Sequence, residues 1–254
     1  MEEDEIIFTG GYKDFRLGVR FPVSGKKPGE VAAILAFISE SIEPYAFRFS
    51  GIDTAGIEKL AAPGGRGIAG AAAFLESIPP NELRARIMQL APKPELYPAA
   101  ESYFLNRLLS KAGVPFKVAP SASKPEEEKV EDVIGFIGKY GQWVAIKKLG
   151  LEKVQDYEVS GILAGINNTI VNKAFEFAGM ESQTGESTKR KTFGNLAQAL
   201  RELEGKLSGG PEDACAVCKA LEAVGYKPYA SPEMLTEAYP DIKPPKVRGR
   251  KPKG

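Results

Sequence analysis

Apolar residues fall into two rhythms along this chain, and the change from one to the other predicts its elements. Ile6, Ile7 and Phe8 open an apolar run that meets Gly10 and Gly11, and Phe15, Leu17, Val19 and Phe21 then fall at every second position, with Arg16, Gly18 and Arg20 between them. Period two after a turn predicts a strand with one buried face. Beyond Pro28 the spacing lengthens. Val31, Ile34, Leu35, Ile38 and Ile42 recur at intervals of three and four, which makes one apolar stripe on a helix predicted over 30–47. Pro28 and the early Glu30 suit its start, where an acid favours the helix dipole, and Gly51 suits its stop. Helical patterns follow over 53–61, 67–78, 80–90 and 95–112, the last ending at Gly113 in the manner of a C-cap.

The same succession is then written again. At an ungapped offset of 128, residues 3–52 and 131–180 share seventeen identities, among them Ile6/Ile134, Phe8/Phe136, Gly10/Gly138, Tyr12/Tyr140, Glu30/Glu158, Ile34/Ile162, Phe47/Phe175 and Gly51/Gly179. Mostly apolar and glycine identities of this kind predict two copies of one folded unit. The second copy supplies a strand at Trp143–Leu149, where the alternation is less clean, a helix over 158–175, and looser helices near 192–207 and 211–224. The phrases at 108–116 and 220–228, Leu-Leu-Ser-Lys-Ala-Gly-Val-Pro-Phe and Ala-Leu-Glu-Ala-Val-Gly-Tyr-Lys-Pro, are equivalent by pattern.

The expected fold class is therefore α+β: two tandem, similar domains, each a small antiparallel strand pair packed with several helices, and the two related by a pseudo-twofold axis. The boundaries are 1–120 for the first domain, 121–130 for a solvated linker containing Glu126-Glu127-Glu128, 131–242 for the second domain, and 243–254 for a basic tail expected to be disordered.

The run Ile134-x-Phe136-x-Gly138-x-Tyr140-x-x-Trp143, followed by Lys147-Lys148 and then by Glu158-Val159 at a helix start, resembles the archaeal domain-of-unknown-function family 2666. The resemblance covers about 50 residues of each copy. It implies archaeal, intracellular origin and a repeated domain, and its motifs are core positions that imply no activity. The first copy departs from the pattern, with Val19-Arg20 where the second has Lys147-Lys148.

Composition narrows function more than fold. The chain has 254 residues and no histidine, so Ser-His-Asp and Cys-His nucleophile systems, histidine-ligated zinc and imidazole bases are excluded within it. No apolar run is long enough to cross a bilayer, and the acidic start at Met1-Glu2-Glu3-Asp4-Glu5 is unlike a secretory signal, so a cytoplasmic protein without membrane association is expected. The net charge of +1 hides an asymmetry: six Lys or Arg and no acid lie in 243–254, which leaves −5 on the rest.

Four constellations carry candidate chemistry. Cys215-x-x-Cys218 has redox or half-zinc spacing, but it lies on a helix with no second pair, and buried free thiols are the preferred reading. Gly65-x-Gly67-x-x-Gly70 has the letters of a dinucleotide loop but follows a predicted helix instead of a strand, so a connector is preferred. Glu30 and Glu158 could be paired carboxylates, yet a first-turn acid is explained without catalysis. Tyr12, Phe15, Tyr140 and Trp143, interleaved with Arg16, Lys147 and Lys148, could stack on bases, but they too fit a core.

The tail is the sharpest signal. Val247-Arg248-Gly249-Arg250-Lys251-Pro252-Lys253 resembles the AT-hook core of Arg-Gly-Arg-Pro, with Lys251 intruding before the proline. The expected function is a non-catalytic binding protein contacting RNA, a ribonucleoprotein particle or DNA through Lys246, Arg248, Arg250, Lys251 and Lys253. Lys189, Arg190, Lys191, Lys147 and Lys148 are expected to support it, and no cofactor or metal is expected. The alternative is a protein-protein adaptor presenting two similar surfaces. A histidine-free enzyme using Glu158, Tyr140 or Lys147 is the weakest expectation.

Overall fold

The computed structural model describes residues 4–116, 124–180, 191–208 and 212–226. A hairpin of β1 (Glu5–Tyr12) and β2 (Phe15–Pro22) leads into α1 (Pro28–Phe49), and four shorter helices follow: α2 (Thr54–Leu60), α3 (Gly67–Ser77), α4 (Pro80–Gln89) and α5 (Tyr97–Ala112). After a two-residue strand, β3 (Glu126–Glu127), a second hairpin of β4 (Val133–Tyr140) and β5 (Trp143–Gly150) leads into α6 (Asp156–Phe177). Then come α7 (Phe193–Leu203) and α8 (Glu212–Ala223). Each of β4, β5 and α6 begins and ends 128 residues after β1, β2 and α1.

The strand pairs expected to sit in separate domains join into one antiparallel sheet of order β3-β2-β1-β4-β5. The joint is β1 against β4, in a register that sets Phe8 opposite Phe136, Ile6 opposite Gly138 and Gly10 opposite Ile134. Ile6, Phe8, Ile134 and Phe136 share one face, and inside a single hairpin each has a strand neighbour on one side alone. Pairing edge to edge buries all four completely and removes two exposed strand edges at once. One continuous apolar cluster spans both halves.

Against the inner face of the sheet lie α1 and α6, packed on each other, with Ser160 Oγ donating to the Ala46 carbonyl at 2.8 Å across their contact. Further helices stand beyond them, with α3 against α7 and α5 against α2, α3 and α4. Phe104 meets Phe193 edge-on at 6.1 Å, and Arg201 Nη2 pairs with Glu76 Oε2 at 3.0 Å, so the late helices of both halves also interlock.

The glycine-and-aromatic motif has a packing cause. A Cβ at Gly138 would lie 2.4 Å from the Trp143 ring, and one at Gly10 would lie 3.1 Å from Phe15, so each glycine makes room for an aromatic from the neighbouring strand. Helix ends are equally local in origin. Glu30 Oε2 accepts from Lys27 N and Glu158 Oε2 from Gln155 N, both at 2.9 Å, which closes a capping box on each long helix. Gly113 and Gly225, both at positive φ, end α5 and α8 with bonds from Val114 N to Leu109 O and Tyr226 N to Leu221 O, each 2.9 Å. Among the described residues no helix is long and apolar enough to cross a membrane.

Candidate functional site

The two hairpins differ most at their outer edges. On β2 the segment expected to be a solvated linker contributes β3, which pairs antiparallel with it: Val19 opposite Glu127, and Arg20 opposite Glu126. Glu128 N–H donates to the Gly18 carbonyl at 3.3 Å, and Arg20 Nε donates to Glu128 Oε2 at 2.7 Å. Arg20 also reaches Glu5 at 3.3 Å. Glu128 is held ionised below the usual carboxylate range by that arginine, and the Arg20 guanidinium is held protonated more firmly by the same bond. Three consecutive glutamates and a strand with Arg16 and Arg20 on one face were the available signal for β3; no apolar pattern marks it.

Past β3 the chain crosses the outer face of the sheet. A Cβ at Gly18 would lie 2.1 Å from the Glu128 carbonyl oxygen, and one at Gly11 would lie 3.0 Å from Val130, so only glycine lets the crossing pass there. Thr9 Oγ1 fastens it, donating to the Lys129 carbonyl at 2.8 Å and accepting from Glu131 N at 3.3 Å.

On β5, among the described residues, no strand pairs with the outer edge. Val144 and Ile146 stand 59% and 44% exposed there. Between β5 and the crossing segment runs a groove of about 270 Å³, floored by Ile7, Thr9, Gly135, Ile137 and Ile146 and flanked by Arg20, Glu128, Lys129 and Glu131 on one side and Lys147 and Lys148 on the other.

Of the expected basic residues, Lys147, Lys148 and Lys191 lie among the described ones. Lys147 and Lys148 are neighbours on a strand, so their side chains leave on opposite faces: Lys148 with Val144 and Ile146, Lys147 with Trp143 and Ala145. Lys191 is engaged within the body, ion-paired with the nearly buried Glu101 and set over the Tyr226 ring at 4.8 Å. Lys189, Arg190 and the tail residues Lys246, Arg248, Arg250, Lys251 and Lys253 lie outside the described residues.

The remaining candidates are occupied structurally. Tyr140 donates to the Lys26 carbonyl at 2.6 Å; Tyr12 donates to Asp156 Oδ1 at 2.7 Å and to the Val154 carbonyl at 3.3 Å. Each tyrosine thus ties its hairpin to the loop before the other half's long helix, and each ring meets a phenylalanine edge-on, Tyr12 with Phe49 and Tyr140 with Phe177. The hydrogen bond to the Asp156 carboxylate pushes the Tyr12 phenol up to about 12. Cys218 is buried, with Sγ 3.2 Å from the Phe116 carbonyl, and burial pushes its thiol up to about 12, away from thiolate chemistry; Cys215 is partly exposed. Gly65 follows α2, and Gly70 in α3 packs on it so closely that a Cβ would lie 2.3 Å from the Gly65 carbonyl, so these glycines serve a loop-to-helix contact. A buried polar cluster was not foreseen: Glu43 accepts from Asn106 Nδ2 and Arg107 Nη2, each at 2.9 Å, between α1 and α5.

With that geometry in hand, the relatives are informative. A model of the family described as domain of unknown function (DUF2666) matches residues 131–196, the stretch holding β4, β5, α6 and the start of α7. The family that the sequence resembles is the one whose model matches this stretch. An uncharacterized protein of Methanocaldococcus jannaschii is 39% identical over 85 residues, a match spanning 30% of this chain and 60% of that protein. The crystal structure of a DUF2666 family member from Pyrococcus furiosus has a TM-score of 0.69 at 19% identity, covering 93% of this chain and 99% of that one. Its likeness concerns the fold, and it extends well beyond the DUF2666 stretch into the first half.

Proposed function

We propose that this chain is a non-catalytic protein-interaction module, built as a fused duplication whose halves are related by a pseudo-twofold axis through the Phe8–Phe136 pair, and that it docks partners on the edge of β5. The duplication is supported by the common offset of 128 in element bounds, by the symmetric β1–β4 register, and by the reciprocal bonds of Tyr12 and Tyr140. The single observation that carries the docking reading is the difference between the two outer edges. One is occupied by β3; the other is eight residues long, with Val144 and Ile146 exposed. An edge left unpaired among the described residues, with exposed apolar side chains beside Lys147 and Lys148, is a template for strand addition.

The reading is tested by panning displayed eight-residue peptides against the full chain and against Ile146→Pro. Proline at an outward-facing edge position removes a donor from the edge and none from the β4 ladder. Peptides enriched on the parent and lost on the variant are the expected result. No enrichment, or enrichment that Ile146→Pro leaves intact, overturns the reading.

A second reading is favoured by the six Lys and Arg in 243–254: contact with RNA, a ribonucleoprotein particle or DNA through the tail. Fluorescence anisotropy of the full chain and of a chain ending at Ile242, against generic RNA and AT-rich duplex DNA at two salt concentrations, decides it. Affinity that falls steeply with salt and vanishes with the tail supports it; equal binding by both chains, or none, removes it.

A further inference from the structure

We infer that β5 takes an extended segment of a partner protein as a sixth, antiparallel strand, and that Lys148 holds a carboxylate of that segment. The inference rests on the reading of β5 as a docking edge, and its template lies inside the molecule. Beside a two-residue hairpin turn the closing pair exchanges both its hydrogen bonds, so residues 144, 146 and 148, opposite 139, 137 and 135, turn their N–H and C=O groups away from β4. On β2 the corresponding residues are 16, 18 and 20, and there the outward groups are in use: the Gly18 carbonyl takes the Glu128 N–H, and Arg20 faces Glu126.

The carboxylate that Arg20 holds belongs to Glu128, the residue beside Gly18, two positions along the added strand from the partner opposite Arg20 itself. Ile146 and Lys148 follow Gly18 and Arg20 by the common offset of 128. The same register on β5 puts the acidic residue opposite Ile146, where a diagonal contact brings it to the Lys148 ammonium on the outer face. Apolar side chains at the flanking outer-face positions would cover Val144 and Ile146.

One difference sets the path of the incoming strand. At Gly18 the chain leaves the sheet plane and crosses the outer face, which a side chain would forbid. Ile146 stands at the corresponding place, so the added strand runs on in the plane along β5 instead of folding over it. A second β5 fits poorly as the occupant, because an antiparallel pair of β5 strands would bring Lys147 and Lys148 of both copies into one ladder.

The test uses the full chain, isotopically labelled, and two acetylated and amidated eight-residue probes that alternate threonine and valine and differ only in carrying glutamate or glutamine at two central positions. The glutamate probe is expected to slow amide exchange at Val144, Ile146 and Lys148 and to bind about two- to fivefold more tightly than the glutamine probe, the range of an exposed ion pair. That preference should shrink as salt rises and vanish or reverse in Lys148→Glu, whose melting temperature reports that it stays folded. Equal binding of both probes, unchanged in Lys148→Glu, overturns the carboxylate while leaving the docking edge. No slowing by either probe overturns the edge as well. Slow exchange at these amides without any probe also overturns the partner: if it grows with protein concentration the occupant is a second copy, and if it does not the occupant is another segment of this chain.

Discussion

β2 and β5 stand at equivalent places in their halves, yet among the described residues one is an interior strand of the sheet and the other its border. The difference reduces to a few side chains. Arg20 and Gly18 give β2 a cation for the Glu128 carboxylate and a bare backbone for the crossing chain, while the same positions of β5 carry Lys148 and Ile146, a cation without a crossing path. A similar divergence runs through the long helices. Glu43 lies fully buried in α1 with Asn106 and Arg107 as partners, where α6 has the apolar Val171. At these places the first half carries internal polar ties, and the second carries exposed or apolar side chains.

Glu43→Ala should sharpen that contrast most. It leaves the Arg107 guanidinium, 17% exposed, without its buried counter-charge, and should cost about 3–5 kcal/mol in denaturant unfolding, whereas Val171→Ala on the other helix should cost about 2 kcal/mol. Comparable losses at both sites would break the comparison. Gly18→Ile, which gives β2 the residue of β5, drives a side chain into the Glu128 carbonyl and should cost about 1–3 kcal/mol, with β3 released from the sheet. Exchange rates of the β2 amides report that release directly.

The tyrosines give a smaller and graded pair. Tyr12→Phe removes a bond to the Asp156 carboxylate and should cost about 1.5–3 kcal/mol; Tyr140→Phe removes one to a neutral carbonyl and should cost about 0.5–1.5 kcal/mol, both read as shifts in unfolding midpoint. Tyr12 and three other groups make stability depend on pH. Asp156, held down by Lys13 and then by Tyr12, and Glu128, held down by Arg20, have folded values below their unfolded ones. Their contribution is complete above the ordinary carboxylate range and is lost as pH falls through the lower folded values. Burial raises Cys218 from 9.0 to about 12, and the Asp156 bond raises Tyr12 from 10.0 to about 12, so their neutral forms stabilise the fold fully below those ordinary values. That contribution is lost as pH rises toward about 12, and thermal melts across both limbs should show stability falling at each end.

Most of the fold was legible because its determinants are local. The alternation at Phe15–Phe21, the stripe from Val31 to Ile42, and the closing glycines at 113 and 225 each predict an element without reference to the rest. What was not legible depended on partners far away in sequence. Nothing within β1 says that its free edge meets β4, and Glu126–Glu128 has a solvated-linker composition until Arg20 is beside it. Lys147, Lys148 and Lys191, the expected basic residues that lie among the described ones, owe their placement to related causes: adjacent lysines on a strand diverge, and the Glu101 that engages Lys191 lies 90 positions earlier. The floor of the groove beside β5 is built from Thr9, Gly135 and isoleucines of three strands, and so has no motif at all.

The most direct measurement is site-resolved amide hydrogen exchange on the full chain without ligand, comparing Arg20 with Lys148 and Gly18 with Ile146. The edge asymmetry predicts slow exchange at Arg20, whose N–H faces β3, and exchange at Lys148 faster by about tenfold or more, close to that of unpaired backbone. Equal protection at the two positions would contradict it, because β5 would then be a covered strand and the two halves alike at their borders.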